Sequence, residues 1–367
     1  MMNSLWCLAL GLAARVSLVA SVLAAVDVTA AEAPALPQTI SSQDVHLHYA
    51  GRWDTSTPKA PRCEWTACSV ALAGTITALN VQLAGRPGGA FQVIVDGAPT
   101  SVITLVADQQ VYPVVAGLPA GQHAIALFKR TESWTGPVQL NGFQAAAGTK
   151  LTTPVIPKRR IEFLGDSITC GYGNEAASQN EHFSEATENA WLAWGAVASR
   201  ALQAEVSVEA ISGIWLQDPP DPQGRSLPAI WDHTLPLSSP AVWDFSKWQA
   251  DVVVVNLGTN DSGKPIDGER WKSAYRAFIA KIRARYPQAH IFLTIGSMGH
   301  GPEGIIPKLN SELVVELAAQ GETKVHAVAL ANQDQSNGLG ADWHPSQKTH
   351  QLMANQIVAE IRTALKW

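Results

Sequence analysis

The chain is short of charge, of cysteine and of long apolar runs. Only 16% of its 367 residues are charged against 46% apolar, a balance that excludes a disordered chain or a charged scaffold. The net charge of −5 offers no basic patch, so nucleic acid is not an expected partner. After residue 26 no apolar run approaches the ~18 residues of a membrane span, so no membrane association is expected once the leader is gone. No His, Asp or Glu cluster has metal-ligand spacing, so neither metal nor cofactor is expected. Gly171-Tyr172-Gly173-Asn174-Glu175-Ala176 superficially matches a dinucleotide fingerprint, but it starts too far past its strand.

What the chain does have begins with a leader. Arg15 precedes the apolar stretch Val16 to Val26, and the small residues Val28-Thr29-Ala30-Ala31 follow. Residues 1–31 read as a secretory signal cleaved after Ala30 or Ala31, which implies a secreted or periplasmic protein. The alternative is a membrane anchor from Leu5 to Val26, against which Arg15 and the Ala-rich tail both count. Of the four cysteines Cys7 lies in the leader. Cys63 and Cys68 are near neighbours, and in an exported chain a small disulfide loop is expected between them. A metal site there would have only His46 and His48 to add. Cys170 is the odd thiol.

The remainder is long enough for two domains. From residue 32 to 150 the pattern is all-β. Phe91-Gln92-Val93-Ile94-Val95 runs into an Asp96-Gly97 hairpin turn, and similar runs follow with Pro and Gly between them. A β-sandwich of jelly-roll type is expected, structural and substrate-shaping in role or a carbohydrate-binding module. Gly148 to Pro154 reads as the linker. From 158 to 367 strand-like runs alternate with helical ones at Asn189–Gln203, Gly268–Arg285, Leu309–Gln320 and Ser346–Leu365. That is an α/β domain with a mostly parallel, doubly wound sheet. The irregular stretch Trp215 to Trp248 carries six of the prolines and four of the 13 tryptophans. It follows Gly213 directly and is expected to wall the site, to pack on the core as a Pro-braced lid, or to do both.

The chemistry is organised around Gly165-Asp166-Ser167-Ile168-Thr169-Cys170-Gly171-Tyr172-Gly173, which ends the apolar run Ile161 to Leu164. A serine at the C-terminal edge of a parallel strand stands where open α/β sheets bind ligands. A lone Gly-Asp-Ser is weak, since Asp-Ser pairs also cap helices. Three further stretches, however, lie at strand ends: Ile211-Ser212-Gly213, Gly258-Thr259-Asn260-Asp261 and Asp342-Trp343-His344-Pro345. They add a glycine amide, an asparagine amide and an Asp/His pair. Nucleophile, oxyanion donors, base and orienting acid are the parts of acyl transfer.

The four motifs resemble the SGNH (GDSL-type) hydrolase superfamily, and most closely carbohydrate esterase family 2. The long form around Ser167, Gly258-Thr259-Asn260-Asp261, Asp342-Trp343-His344-Pro345-Ser346 and the upstream Gly51-Arg52-Trp53-Asp54 carry the resemblance, which runs from about residue 45 to the C-terminus. It implies a three-layer SGNH domain behind a jelly-roll, with Ser167 as nucleophile, His344 as base and Asp342 as its acid. Ser167, Gly213 and Asn260 would form the oxyanion hole, and Trp215 and Trp343 would contact substrate. The superfamily's usual acid lies three residues before the histidine; here Asp342 lies two before it. The implied activity is deacetylation of plant polysaccharides of xylan or mannan type. A lipase or thioesterase on the same scaffold, and a non-catalytic polysaccharide-binding protein, are the alternatives.

Overall fold

The computed structural model describes residues 35–217, 225–298 and 303–367; the leader and Cys7 lie outside them. Among the described residues no helix is long and apolar enough to cross a membrane. The all-β part is a sandwich of two six-stranded sheets. One is built on Val138–Ala145 between Leu79–Ala84 and Arg62–Cys63, the other on His123–Lys129 between Ser69–Gly74 and Ala90–Val95. Alternation explains the packing: along Ser69–Gly74 every second residue is buried, Val70 and Leu72 among them, as a strand with one face on the core requires. Leu151–Thr152, expected in the linker, is instead a strand paired with Ser69–Gly74, which ties the connection to the sandwich.

The α/β part has five parallel strands: β1 (Arg159–Gly165), β2 (Ala204–Ala210), β3 (Val252–Asn256), β4 (His290–Ile295) and β5 (Val325–Ala329), in the order β2-β1-β3-β4-β5. The central β3, Val-Val-Val-Val-Asn, is buried throughout, as a strand covered on both faces must be. Its alternate residues feed two cores. Val253 and Val255 meet Trp271, Phe278 and Leu313 from α3 (Gly268–Arg285) and α4 (Ile305–Ala319). Val252 and Val254 meet Trp194 and Ile357 from α2 (Trp194–Ala201) and α5 (Gln347–Leu365). α3 starts where Asp267 caps the Glu269 and Arg270 N–H groups. α2 and α4 begin five residues later and four earlier than their apolar patterns suggest. The strand order reverses between β1 and β3, so a crevice opens at the carboxyl ends of those two strands.

One buried cation joins the parts. Arg52, from the sandwich and 2% exposed, sends Nη2 to Glu162 of β1 at 2.6 Å, while its Nε lies 3.3 Å from Glu209 of β2. Its Nη1 donates to the Trp231 and His233 carbonyls. Trp231 itself is fully buried and donates its indole N–H to Glu162 at 2.9 Å. Trp215 to Trp248, expected to wall the site or to pack on the core, does the latter over much of its described length. Its described middle, a helical turn at Leu227–Ile230 and the hairpin His233–Leu235 with Ser239–Val242, packs Trp231, Trp243 and Phe245 into the core shared by sandwich and sheet. Apolar side chains and a desolvated guanidinium compete for the same dry space, and the tryptophans follow it.

Cys63 and Cys68, the pair expected to bridge, are both buried and unbonded to each other in this structure. Cys68 Sγ donates to the Arg52 carbonyl at 3.6 Å. Burial, then the neighbouring Cys63, pushes its thiol well above the usual range, so it stays protonated as a donor.

Removing the shared cation tests this junction. Arg52→Ala leaves Glu162 and Glu209 buried without their counter-charge, and breaking such a pair costs roughly 3–5 kcal/mol. Denaturant unfolding should show a loss of that size; a loss below about 1 kcal/mol would show that the carboxyls do not depend on Arg52.

Candidate active site

Ser167 opens a single helical turn, Ser167–Cys170, directly after β1. Asp166 caps that turn, Oδ1 accepting the Ile168 N–H at 3.1 Å, so its role is local, as its position beside the nucleophile suggested. Burial lifts its carboxyl to about 7. Gly165 is required by close approach: a Cβ there would lie 2.1 Å from Thr169 Oγ1. The turn folds back over the strand end, and only glycine leaves room.

The structure brings Ser167 and His344 together across 177 residues, with His344 Nε2 2.9 Å from Ser167 Oγ. The opposite ring nitrogen, Nδ1, lies 3.1 Å from the Ala341 carbonyl oxygen. A carbonyl only accepts, so Nδ1 carries the proton and Nε2 is left to accept from the serine. Burial lowers the His344 pKa, partly offset by the Ala341 carbonyl. The base is therefore neutral at pH 7.

Asp342 does not orient His344, and the triad expectation is corrected here. Its Oδ1 lies 2.8 Å from His182 Nδ1, and its Oδ2 accepts from the Tyr172 hydroxyl and the Phe183 N–H, each at 2.9 Å. These three donors, His182 foremost, hold its carboxyl below the usual range. The reason is backbone geometry: Asp342 and Trp343 both have positive φ, +48° and +67°. Two left-handed residues in succession swing the carboxylate off the histidine side. The same turn leaves Trp343 52% exposed beside the base.

Asp342 acts on the site at one remove. Tyr172, fixed by it, stacks on His344 with ring centroids 4.0 Å apart, and Phe183 stacks on Tyr172 at 4.4 Å. The sequence reading gave neither ring a role. Tyr172 lies within the Ser167 motif, so its position was available; Phe183, in an irregular segment, carried no signal.

The expected oxyanion residues sit at the same strand ends. Gly213, in the loop after β2, is exposed with φ +77°, and no acceptor among the described residues takes its N–H. Asn260 Nδ2 donates to the Ile214 carbonyl at 3.0 Å and lies 3.4 Å from Asp166 Oδ2. Its amide thus links the Gly213 loop to the residue preceding the nucleophile. Asp261 holds the same loop, accepting from Leu216 N–H at 3.0 Å and Gln217 N–H at 2.9 Å. Trp215 is partly buried, with the Lys264 ammonium 5.4 Å from its ring centre.

Comparison with known proteins agrees with this layout. Residues 163–352 match the GDSL-like Lipase/Acylhydrolase family, and residues 49–154 match the Carbohydrate esterase 2 N-terminal domain. The cellulase/esterase CelE of Acetivibrio thermocellus is 40% identical over 90% of this chain, which spans 41% of that longer protein. An acetylxylan esterase / glucomannan deacetylase of Cellvibrio japonicus is 26% identical over 90% of this chain and 92% of its own length. A solved family two carbohydrate esterase from Clostridium thermocellum, in complex with cellohexaose, is 39% identical. It covers 88% of this chain and 99% of its own, with a TM-score of 0.83.

Two pH-linked outcomes follow from the geometry. The base works only when neutral, and burial depresses its pKa, so the acidic limb of kcat/KM should lie below the ~6.5 of free imidazole. Asp342→Asn should cost less than about tenfold in kcat and leave that limb in place, against about 10⁴ where a carboxylate orients the base. A limb at or above 6.5, or one that moves in the variant, would restore the triad.

Proposed function

The chain belongs to the GDSL-like lipase/acylhydrolase family, in its carbohydrate esterase family 2 branch, and from that premise we propose that it removes acetyl groups from plant polysaccharides. The observation that carries the reading is the 2.9 Å contact between Ser167 and a His344 of base-competent tautomer, beside the exposed indole of Trp343. An indole face open to solvent next to the nucleophile suits a sugar ring. The polysaccharide names of the relatives support a xylan or mannan backbone, and the Val16–Val26 leader supports an exported enzyme acting on it outside the cytoplasm.

In this scheme Ser167 Oγ attacks the acetyl carbonyl carbon while its proton passes to His344 Nε2. The oxyanion is held by the N–H groups of Ser167 and Gly213 and by the Asn260 amide, which need no proton transfer of their own. Collapse breaks the bond to the sugar oxygen, which takes the proton from His344 and leaves as a hydroxyl. Water then gives a proton to His344 and attacks the acetyl-serine. Acetate departs and Ser167 regains its proton. Each step uses one base and a fixed set of donors.

Acetate release from acetylated xylan and mannan, with a chain-length series of 4-nitrophenyl esters, tests the proposal. Ser167→Ala and His344→Ala should abolish turnover. Asn260→Ala should lower kcat by about 10²–10³, the usual cost of one oxyanion donor. Trp343→Ala should raise KM for acetylated oligosaccharides several-fold and leave 4-nitrophenyl acetate unaffected. Activity rising with acyl length would favour the lipase reading, and binding without turnover the non-catalytic one.

A further inference from the structure

Gly213 has to aim its N–H at a developing oxyanion, yet little beside it fixes that aim. It is the most pliable residue type, and a Cβ placed on it would meet nothing within 4 Å. The flanking residues are anchored: the Ile211 N–H donates to the Gly165 carbonyl at 3.2 Å, and the Ile214 carbonyl accepts from Asn260. The Ile214 N–H closes the turn on the Ile211 carbonyl at 3.3 Å, and within that turn Ser212 is held from the other domain. Glu132, on the sandwich and 1% exposed, accepts the Ser212 N–H at Oε2, 2.7 Å, and the Ser212 hydroxyl at Oε1, 2.5 Å. The Cys170 thiol, at the far end of the nucleophile's helical turn, donates to the same Oε2 at 3.7 Å. One carboxylate thus touches both the oxyanion loop and the turn that carries Ser167.

Glu132 is itself gripped. Its N–H donates to Glu188 Oε2 at 3.0 Å, and Lys129 Nζ donates to its carbonyl oxygen at 2.9 Å and to that of Thr131 at 2.6 Å. Burial, then the charge of Glu132, drives the Glu188 carboxyl well above its usual range, and the Cys170 thiol likewise. Burial raises the Glu132 carboxyl as well, while its two Ser212 donors, the Cys170 thiol and Lys129 pull the other way. Glu132, Cys170 and Glu188 bring donor atoms within 4.8 Å of one another, the spacing of a cation site. Both Glu132 oxygens are already engaged, however, and the thiol keeps its proton, so the set works as a hydrogen-bonded clamp.

We propose that Glu132 is a positioning residue for ester hydrolysis: its two-point grip on Ser212 sets the direction of the Gly213 N–H, and the sandwich thereby completes the oxyanion hole. The inference rests on the hydrolase reading above and is independent of which polysaccharide is the substrate. It is tested in the full-length protein with 4-nitrophenyl acetate, comparing wild type with Glu132→Ala, Glu132→Gln and Ser212→Ala, each checked by thermal melting. Glu132→Ala should lower kcat by about 10²-fold, in the range of a lost oxyanion donor, with KM within about threefold. The acidic limb set by His344 should not move. Labelling of Ser167 by a phosphonate, whose adduct is tetrahedral, should slow in the same proportion as kcat.

Glutamine can accept the Ser212 N–H and donate to its hydroxyl oxygen, so Glu132→Gln should recover to within about tenfold of wild type. Ser212→Ala, which keeps the N–H contact, should lose about three- to tenfold. Should Glu132→Ala fail to fold, the other two variants decide. The idea is overturned by a folded Glu132→Ala with kcat within threefold of wild type, by a loss confined to KM, by Glu132→Gln falling to a hundredth, or by Ser212→Ala at full rate. A wild-type chain inactive on every ester would sink the hydrolase reading itself; an active wild type matched by Glu132→Ala sinks only the positioning role.

Discussion

The buried Arg52 is the constraint on which the rest depends. A guanidinium removed from water is tolerable only with its charge balanced and its N–H groups bonded. Arg52 meets that requirement with Glu162 and Glu209 on two adjacent strands and with the carbonyls of Trp231 and His233. None of these partners belongs to the sandwich that carries Arg52. The sandwich therefore cannot rock on the parallel sheet without breaking the buried Arg52–Glu162 pair. A tether of ordinary apolar contacts would resist separation but tolerate sliding; the directional bonds of a guanidinium do not. That rigidity lets a residue of one domain act with ångström accuracy on a loop of the other, as Glu132 does on Ser212.

Within the crevice, acid and base are kept apart by environment. Desolvation lowers the proton affinity of His344 and the Ala341 carbonyl restores only part of it, so the imidazole is neutral at neutral pH. A carboxylate in the carbonyl's place would stabilise the imidazolium, strengthening the base but also keeping it protonated to higher pH. The carboxylate that the sequence places nearest, Asp342, is spent on Tyr172, Phe183 and His182. Its effect reaches the imidazole chiefly as the flat face of Tyr172, with a minor upward pull of its charge on the His344 pKa.

Much of the frame was legible from periodicity alone. The alternation of strand-like and helical runs pointed to the α/β domain, and the helix expected at Gly268–Arg285 has those bounds. Ser167, Gly213 and Asn260 were legible because each sits just past a strand, where a parallel sheet displays its ligands, and His344 because its motif precedes the last helix. What could not be read depends on distant partners. The tryptophans from Trp231 to Trp243 suggested a sugar-facing wall, but nothing local says that a buried arginine 179 residues away makes their surroundings core. The Cys63–Cys68 spacing suggested a bridge, but no spacing reports that the Cys68 sulfur meets the Arg52 carbonyl. Glu132 lies 80 residues from Ser212 in an otherwise unremarked loop, and no periodicity reports a carboxylate's reach across a domain boundary.

The two-residue spacing of Asp342 and His344 shows how a short motif can mislead on roles and still be right on position. With Asp342 and Trp343 both left-handed, the turn carries strain of order 1–3 kcal/mol per residue. Such a conformation persists only where its surroundings over-determine it. Here the Asp342 N–H donates to the Glu181 carbonyl at 3.1 Å, the Ala341 N–H to Gly173 at 3.0 Å, and Gln333 to the Trp343 carbonyl at 2.8 Å. The strained turn presents three groups in three directions: a carboxylate toward Tyr172, an indole toward solvent and an imidazole toward Ser167. A relaxed extended segment would set residues 342 and 344 on the same side, because side chains alternate with a period of two. The carboxylate would then compete for the histidine, and the indole would point away from both. The strain is thus tied to separating the exposed indole from the imidazole while Tyr172 stacks on that imidazole.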